Sequence, residues 1–170
     1  QLVVGADGTK SAVRTALDIP VKVYQYSEGY LLGVLDRPQG FENRSRYYIG
    51  RGEILGLLPV PKDQLYFFYL LSNSSRAALD ETSFQSIKDA IVKIDPSLTQ
   101  PIKQFTHPDQ TLFRPCFRVR ATTWVTDGAV IIGDAAHAMN PHVSQGRMQA
   151  MQDAVALARV VQGCFAAGDF

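Results

Sequence analysis

Asp134 closes the apolar run Val130–Ile131–Ile132–Gly133, and Pro141 and Ser144–Gln145–Gly146 follow before a long helical pattern begins. A carboxylate at the end of a buried strand accepts hydrogen bonds from ribose or ribityl hydroxyls. A nearby helix N-terminus offers free N–H groups and a positive dipole end to an anionic part of the same ligand. The combination suits a nucleotide-type cofactor; an aspartate that merely caps a helix is the simpler alternative. A second candidate lies near the start, where Gly5–Ala6–Asp7–Gly8 ends the apolar Leu2–Val4 and Ser11 precedes a helical pattern of Val13, Arg14 and Leu17. Strand, glycine turn and basic helix form an anion cradle or an ordinary strand–turn–helix corner with equal claim. His137 and His142 with Asp134 are not read as a metal site, because Pro141 interrupts helical pairing.

The elements that must position these residues follow from periodicity. From Val21 to Leu71 the pattern is close to two, with strands expected near Lys22–Tyr26, Tyr30–Leu35, Ser45–Ile49, Glu53–Pro59 and Gln64–Leu70. Connections this short join antiparallel neighbours. Gly50–Arg51–Gly52 superficially resembles a dinucleotide fingerprint, but Leu55 occupies the third glycine position and a strand follows, so it reads as a hairpin turn. Phe84, Ile87, Ile91 and Ile94 predict a helix over Ser83–Ile94, capped by Ser83 and stopped at Asp95–Pro96, with a short helix near Leu98–Phe105. Thr111–Arg120 is strand-like but contains Pro115, so it reads as an edge strand or a long connector, and its alternating Arg114, Arg118 and Arg120 could share one face, most simply a solvated one. Met148, Met151, Val155, Ala158 and Val161 form a helical stripe of the kind usually buried in a core, and Ala150, Ala154 and Ala158 allow close approach to a sheet.

Composition narrows the class. With 46% hydrophobic and 19% charged residues, net charge +1 and no basic run, the chain reads as a globular protein with no footprint for nucleic acid or anionic membrane. The longest apolar run, Leu65–Leu71, is far short of a membrane span. Cys116 and Cys164 form no CxxC pair, which favours free thiols in a reducing, cytoplasmic setting. Asn43–Arg44–Ser45 and Asn73–Ser74–Ser75 match the glycosylation triplet, with nothing else pointing to secretion. The chain starts at Gln1 and stops after a helix, which reads as a fragment of a longer protein.

The two end segments together carry a resemblance. Gly5–Ala6–Asp7–Gly8–Thr9–Lys10–Ser11–Ala12–Val13–Arg14 looks like GxDGxxSxxR, and Gly133–Asp134–Ala135–Ala136–His137 with Pro141, Gly146 and Asp153–Ala154 looks like GDAAHxxxP with its following turn. In this order the pair resembles the single-component FAD-dependent aromatic hydroxylases, the group of para-hydroxybenzoate hydroxylase and the ubiquinone-pathway hydroxylases. The resemblance implies an α/β (α+β) fold: part of a Rossmann-like FAD-binding domain at 1–20 and 110–170, and a mainly antiparallel substrate-binding sheet domain at 21–109, covered by helices. It implies that Asp134, with Gly133, contacts the ribityl chain of FAD and that Pro141 lies at the reactive flavin edge. Gly146, Arg147 and Met148 would face the pyrimidine end of the ring, where a helix N-terminus stabilises negative charge. Asp7, Gly8 and Arg14 would lie near the pyrophosphate and the nicotinamide cofactor. The implied reaction is hydroxylation of a small, aromatic substrate with NAD(P)H and oxygen, in a protein free to form a homodimer and without an integral membrane segment.

Departures from the family pattern are equally specific. The N-terminal strand–GxGxxG–helix is not present, the usual glycine-rich turn reads His142–Val143–Ser144–Gln145–Gly146, and Met148 replaces an asparagine. They leave open an epoxidase, halogenase or reductase of the same architecture, or a non-catalytic domain that has lost tight FAD binding.

Overall fold

The computed structural model describes residues 1–72 and 80–168; the triplet at Asn73 lies outside the described residues. The chain divides into two compact units, one of Gln1–Gln25 with Phe117–Phe170 and one of Tyr26–Cys116.

In the second unit a five-stranded sheet runs in the order β3-β4-β5-β2-β6. Its strands are β2 (Val21–Asp36), β3 (Arg46–Ile49), β4 (Ile54–Val60), β5 (Gln64–Ser72) and β6 (Leu112–Ala121), with β2 and β6 running on into the first unit. The β2/β5, β3/β4 and β4/β5 pairs are antiparallel, as the short connections require. β2 is one long strand where two were expected. Gly29 carries it through: a Cβ there would lie 2.4 Å from the Phe113 ring and 2.5 Å from the Arg114 carbonyl oxygen, so only glycine lets β6 approach this closely. β6 is an edge strand and accommodates Pro115, and its three arginines are exposed. The Gly50 turn is a hairpin closed by Gly50 N–H donating to the Glu53 carbonyl at 2.9 Å.

Alternation along β5 sorts the aromatic side chains. Leu65, Phe67, Tyr69 and Leu71 point inward and pack with Phe84, Ile87 and Ile91 of helix α2 (Glu81–Ile94). Tyr66 and Phe68 lie on the opposite face, where Phe68 meets Tyr30 and Tyr47 edge-on at 5.3 and 5.4 Å. Helix α2 is capped by Asp80, not Ser83; Ser83 is the third residue of the helix and returns a bond to the Asp80 N–H, a reciprocal capping box. The helix expected near Leu98–Phe105 is two 3₁₀ turns, Pro96–Thr99 and Pro101–Gln104, each opened by a proline that cannot extend a preceding helix.

Asp95, almost fully buried, ties this layer together by accepting bonds from the Tyr48 hydroxyl (2.8 Å) and the Ser97 hydroxyl (2.7 Å) near the Arg46 guanidinium (3.6 Å). Burial alone would raise its pKa, but the Ser97 and Tyr48 bonds and Arg46 hold it below the ordinary carboxylate value. Because the folded pKa is depressed, this contribution is complete above about pH 4, the unfolded aspartate range, and is lost as pH falls through the lower folded value. Asp95→Asn should therefore be less stable than the parent at pH 6, and urea titrations should show that gap closing towards pH 2; a constant gap would disprove the linkage.

The first unit holds a three-stranded sheet in the order β1-β8-β7, from β1 (Val3–Gly5), β7 (Val125–Thr126) and β8 (Ala129–Ile131). β1 and β8 are parallel, with Val4 opposite Val130, and β7 pairs with β8 antiparallel. Helix α1 (Ala12–Ala16) follows β1, capped by Ser11, whose Oγ accepts from the Arg14 N–H at 3.0 Å. After β8 come the single-turn helix α3 (Asp134–His137), a 3₁₀ turn (Pro141–Val143) and the long helix α4 (Gly146–Ala167). The core comprises Ile19, Ala121, Ile131, Ala135 and Ala136, with Val13, Leu17 and Val21 against it. One sequence expectation needs correction here. The stripe on α4 is not core, since Met148, Met151 and Val155 are 53, 60 and 54% exposed, and Val3 and Val4 of β1 are exposed as well. β1 is an edge strand, and among the described residues nothing covers these faces.

No described helix is long and apolar enough to cross a membrane. Both cysteines are free thiols. Burial, with the Glu28 carboxylate adding to it, pushes the Cys116 thiol up to about 11. At pH 8 iodoacetamide should label the partly exposed Cys164 and spare Cys116 in the native protein; equal labelling by mass spectrometry would contradict this packing.

Candidate functional site

The strand end at Gly133 is built for a sharp turn. Gly133 takes φ +59 and ψ −141, a conformation closed to residues with a Cβ, and its carbonyl accepts from the Ala136 and His137 N–H groups at 2.9 Å each. That turns the chain at once from β8 into α3 and puts Asp134 at the first helical position. Ala150 of α4 sits close above, 3.0 Å from where a Gly133 Cβ would be, so the small residue expected to allow close approach does so here.

Three further contacts fix this turn. Asp153 of α4 accepts from the Gly133 N–H at 2.8 Å and, through the same oxygen, bonds His137 Nε2 at 2.6 Å. The His137 ring stacks on Trp124 with centroids 4.6 Å apart. From the other side, Arg14 donates to the Ala135 carbonyl at 2.7 Å and to the Thr9 carbonyl at 2.9 Å.

The result is a cavity of about 670 Å³ in the first unit. Gly8, Gly133, Asp134, Pro141, Gly146 and Arg147 line it, with Ile132, Met139, Ala150 and Ala154 supplying apolar wall. These six residues, drawn from two distant sequence segments, are the expected site residues that the fold brings together. The other three stand elsewhere. Met148 is exposed and outside the lining. Asp7 accepts from the Ala12 and Val13 N–H groups at 2.7 and 3.1 Å, capping α1; a bond from the Ser11 side chain, with those backbone bonds, holds its carboxyl below the usual range. Arg14 is buried on the two carbonyls named above, which occupies its guanidinium with bracing the fold.

The electrostatics at the cavity mouth are complementary to a ligand with hydroxyls and an electron-rich ring. Asp134 Oδ1 lies 3.9 Å from a built Gly146 Cβ, so the carboxylate stands beside the start of α4. Among the described residues that start has no side-chain cap: Gln145 makes no capping bond, and the first intrahelical bond is Gln149 N–H to the Gln145 carbonyl at 3.0 Å. The N–H groups of the first turn are thus donors awaiting an acceptor, at the positive end of a 22-residue helix. A flat heteroaromatic ring with a hydroxylated chain fits these features: apolar walls for the ring, N–H donors for its anionic edge, a carboxylate for hydroxyls. The residues present therefore fit the flavin half of FAD.

Ser144 adopts the left-handed conformation at φ +54 and ψ +30, where glycine is favoured; the side chain of Val143 lies outside the described residues. Ser144→Gly should raise stability by up to about 1 kcal/mol by removing that strain, read as a higher denaturation midpoint; a loss of stability would contradict the left-handed assignment.

Fold and site together define an α/β nucleotide-cofactor unit joined to an antiparallel sheet unit. The chain belongs to the FAD binding domain family, whose model matches residues 1–163. Aurachin C monooxygenase/isomerase of Stigmatella aurantiaca is 33% identical over 165 residues, covering 93% of this chain and 42% of that protein. The 2-heptyl-3-hydroxy-4(1H)-quinolone synthase of Pseudomonas aeruginosa is 29% identical over 173 residues, covering 94% of this chain and 42% of that protein. The crystal structure of P. aeruginosa PqsL in complex with 2-aminobenzoylacetate matches with a TM-score of 0.81 at 25% identity, covering 97% of this chain and 46% of that one. The chain thus spans less than half the length of these relatives. The resemblance drawn from the two end motifs holds at the level of family and fold.

Asp153, His137 and Trp124 were not on the sequence-derived list of cofactor contacts. Asp153 was visible only as part of a motif, since a spacing of 20 residues from Gly133 carries no geometric signal of its own.

Proposed function

We propose that the full-length protein is an FAD-dependent monooxygenase that hydroxylates an aromatic substrate using NAD(P)H and oxygen. The observation that carries this reading is the convergence of Asp134 and the uncapped α4 N-terminus on one cavity. Bound flavin would supply the redox and oxygen chemistry. The chain's own residues would bind and orient it: Asp134 by accepting from ribityl hydroxyls, and the Gly146 and Arg147 N–H groups by donating to the ring edge where negative charge gathers on reduction. Pro141, on the cavity wall, presents an apolar surface without an N–H, which suits an edge from which water is to be excluded.

An aromatic substrate is supported by the outer face of the second unit's sheet, where Tyr30, Tyr47, Tyr66 and Phe68 cluster while Phe67 and Tyr69 serve the core. Relatives named for aurachin C and for a quinolone fit the same class. Two unpaired cysteines favour a reducing, cytoplasmic setting.

The test is direct. Purified full-length protein should be yellow, release FAD on denaturation, and oxidise NADH or NADPH faster when an aromatic substrate is added, with oxygenated product by mass spectrometry. A colourless protein that takes up no FAD would sink the reading.

A further inference from the structure

We propose that Asp153 and His137 are positioning residues of the flavin site, an inference that rests on the FAD reading. One carboxylate oxygen on α4 grips both ends of the turn that carries Asp134. It accepts from the Gly133 N–H at the start of the turn and bonds His137 Nε2 at its end. Neither residue lines the cavity, so neither touches the ligand. Asp153 lies seven residues into α4, and the first turn of that same helix supplies the ring-edge donors. A single side chain therefore sets the spacing between the two groups the flavin must meet at once, the Asp134 carboxylate and the Gly146–Arg147 N–H groups.

The pair is held in one orientation. Both side chains are only 18% exposed, and the stack on Trp124 fixes the plane of the His137 ring. Arg118 and Arg120 of β6 line the neighbouring cavity with His137 and Asp153 and are the other charged groups facing them. Among the described residues neither is bonded to Asp153, whose side-chain partners are the Gly133 N–H and the His137 ring. Support of this kind is what keeps groups that contact a ligand within its tolerance.

Three variants of the full-length protein separate this role from mere stability. Asp153→Ala removes both bonds, Asp153→Asn keeps an oxygen able to accept from Gly133, and His137→Phe keeps the stack on Trp124 while releasing one end of the turn. Amide hydrogen exchange at Gly133 in flavin-free protein should speed up at least about tenfold in Asp153→Ala and stay within about threefold in Asp153→Asn. FAD affinity should fall at least about tenfold in Asp153→Ala and measurably in His137→Phe, with a shifted visible band for the flavin that remains bound, while Asp153→Asn restores most of it. Should Asp153→Ala fail to fold, His137→Phe decides, because it leaves the Gly133 bond in place. His137→Phe with parental affinity and spectrum, or Asp153→Ala with unchanged Gly133 exchange, overturns the positioning role. A parent protein that binds no FAD overturns the flavin reading instead, and with it the role built on it.

Discussion

Arg14→Ala is expected to destabilise the first unit by about 3 kcal/mol, because it strips one buried and one part-buried carbonyl of a charged donor at once. The guanidinium spans Thr9, in the turn after β1, and Ala135, in the turn after β8, so it joins the two sequence motifs across the parallel strand pair. It is 8% exposed, and water does not readily replace it. Arg14→Lys should recover only part of the loss, since an ammonium on a single stem reaches one carbonyl where the planar fork reaches two. The single tryptophan suits the measurement: Trp124 lies in the first unit, stacked on His137, and its fluorescence in a denaturant titration reports from within that unit. A midpoint shift of less than about 0.5 kcal/mol equivalent would show that the bridge is dispensable. A result at the expected size would explain why an arginine in a glycine-turn motif need not touch phosphate: it holds in place the turn that carries Asp134.

What the sequence disclosed and what it concealed divide along a physical line. The place of Asp134 was legible because residue type and position coincide: a carboxylate ends an apolar run just before a turn, and the fold puts it on the cavity wall. The sheet was legible because alternation is local, and the residues of β5 alternate inward and outward as expected. The resemblance implies Asp7 and Arg14 as ligand contacts, and the residues alone leave the choice open, because a basic or acidic side chain beside a glycine turn looks the same whether it faces an anion or its own backbone. Only three-dimensional partners distinguish them, and Asp7 turns out to cap α1. The clamp by Asp153 depends on α4 folding back over Gly133, which no local pattern encodes. The methionine stripe misled for a related reason: periodicity says which face of a helix is apolar, not whether something covers it. Met151 is exposed along the helix and still reaches the cavity wall.

Gly133→Ala should cost about 3–4 kcal/mol and abolish flavin binding. Two independent penalties combine. The backbone at φ +59 and ψ −141 is closed to alanine, and the new Cβ would stand 3.0 Å from the Ala150 Cβ on a helix that cannot yield without dragging its own first-turn N–H groups with it. The two are separable: adding Ala150→Gly relieves the steric part and leaves the backbone part in full, once the cost of a glycine inside α4, read from the Ala150→Gly single variant, is subtracted. Gly146→Ala is the contrast. Its Cβ would meet Met139 at 3.7 Å and Asp134 at 3.9 Å, ordinary contacts, and alanine favours the helix, so stability should hold or rise slightly. Yet that methyl projects into the cavity beside Asp134 and should weaken FAD binding there by crowding alone. Calorimetry for stability and flavin titration for affinity, run on the same variants, must therefore part company: both fall together at Gly133, and only affinity falls at Gly146. If Gly146→Ala binds FAD as the parent does, the cavity between Asp134 and α4 is not where the flavin lies.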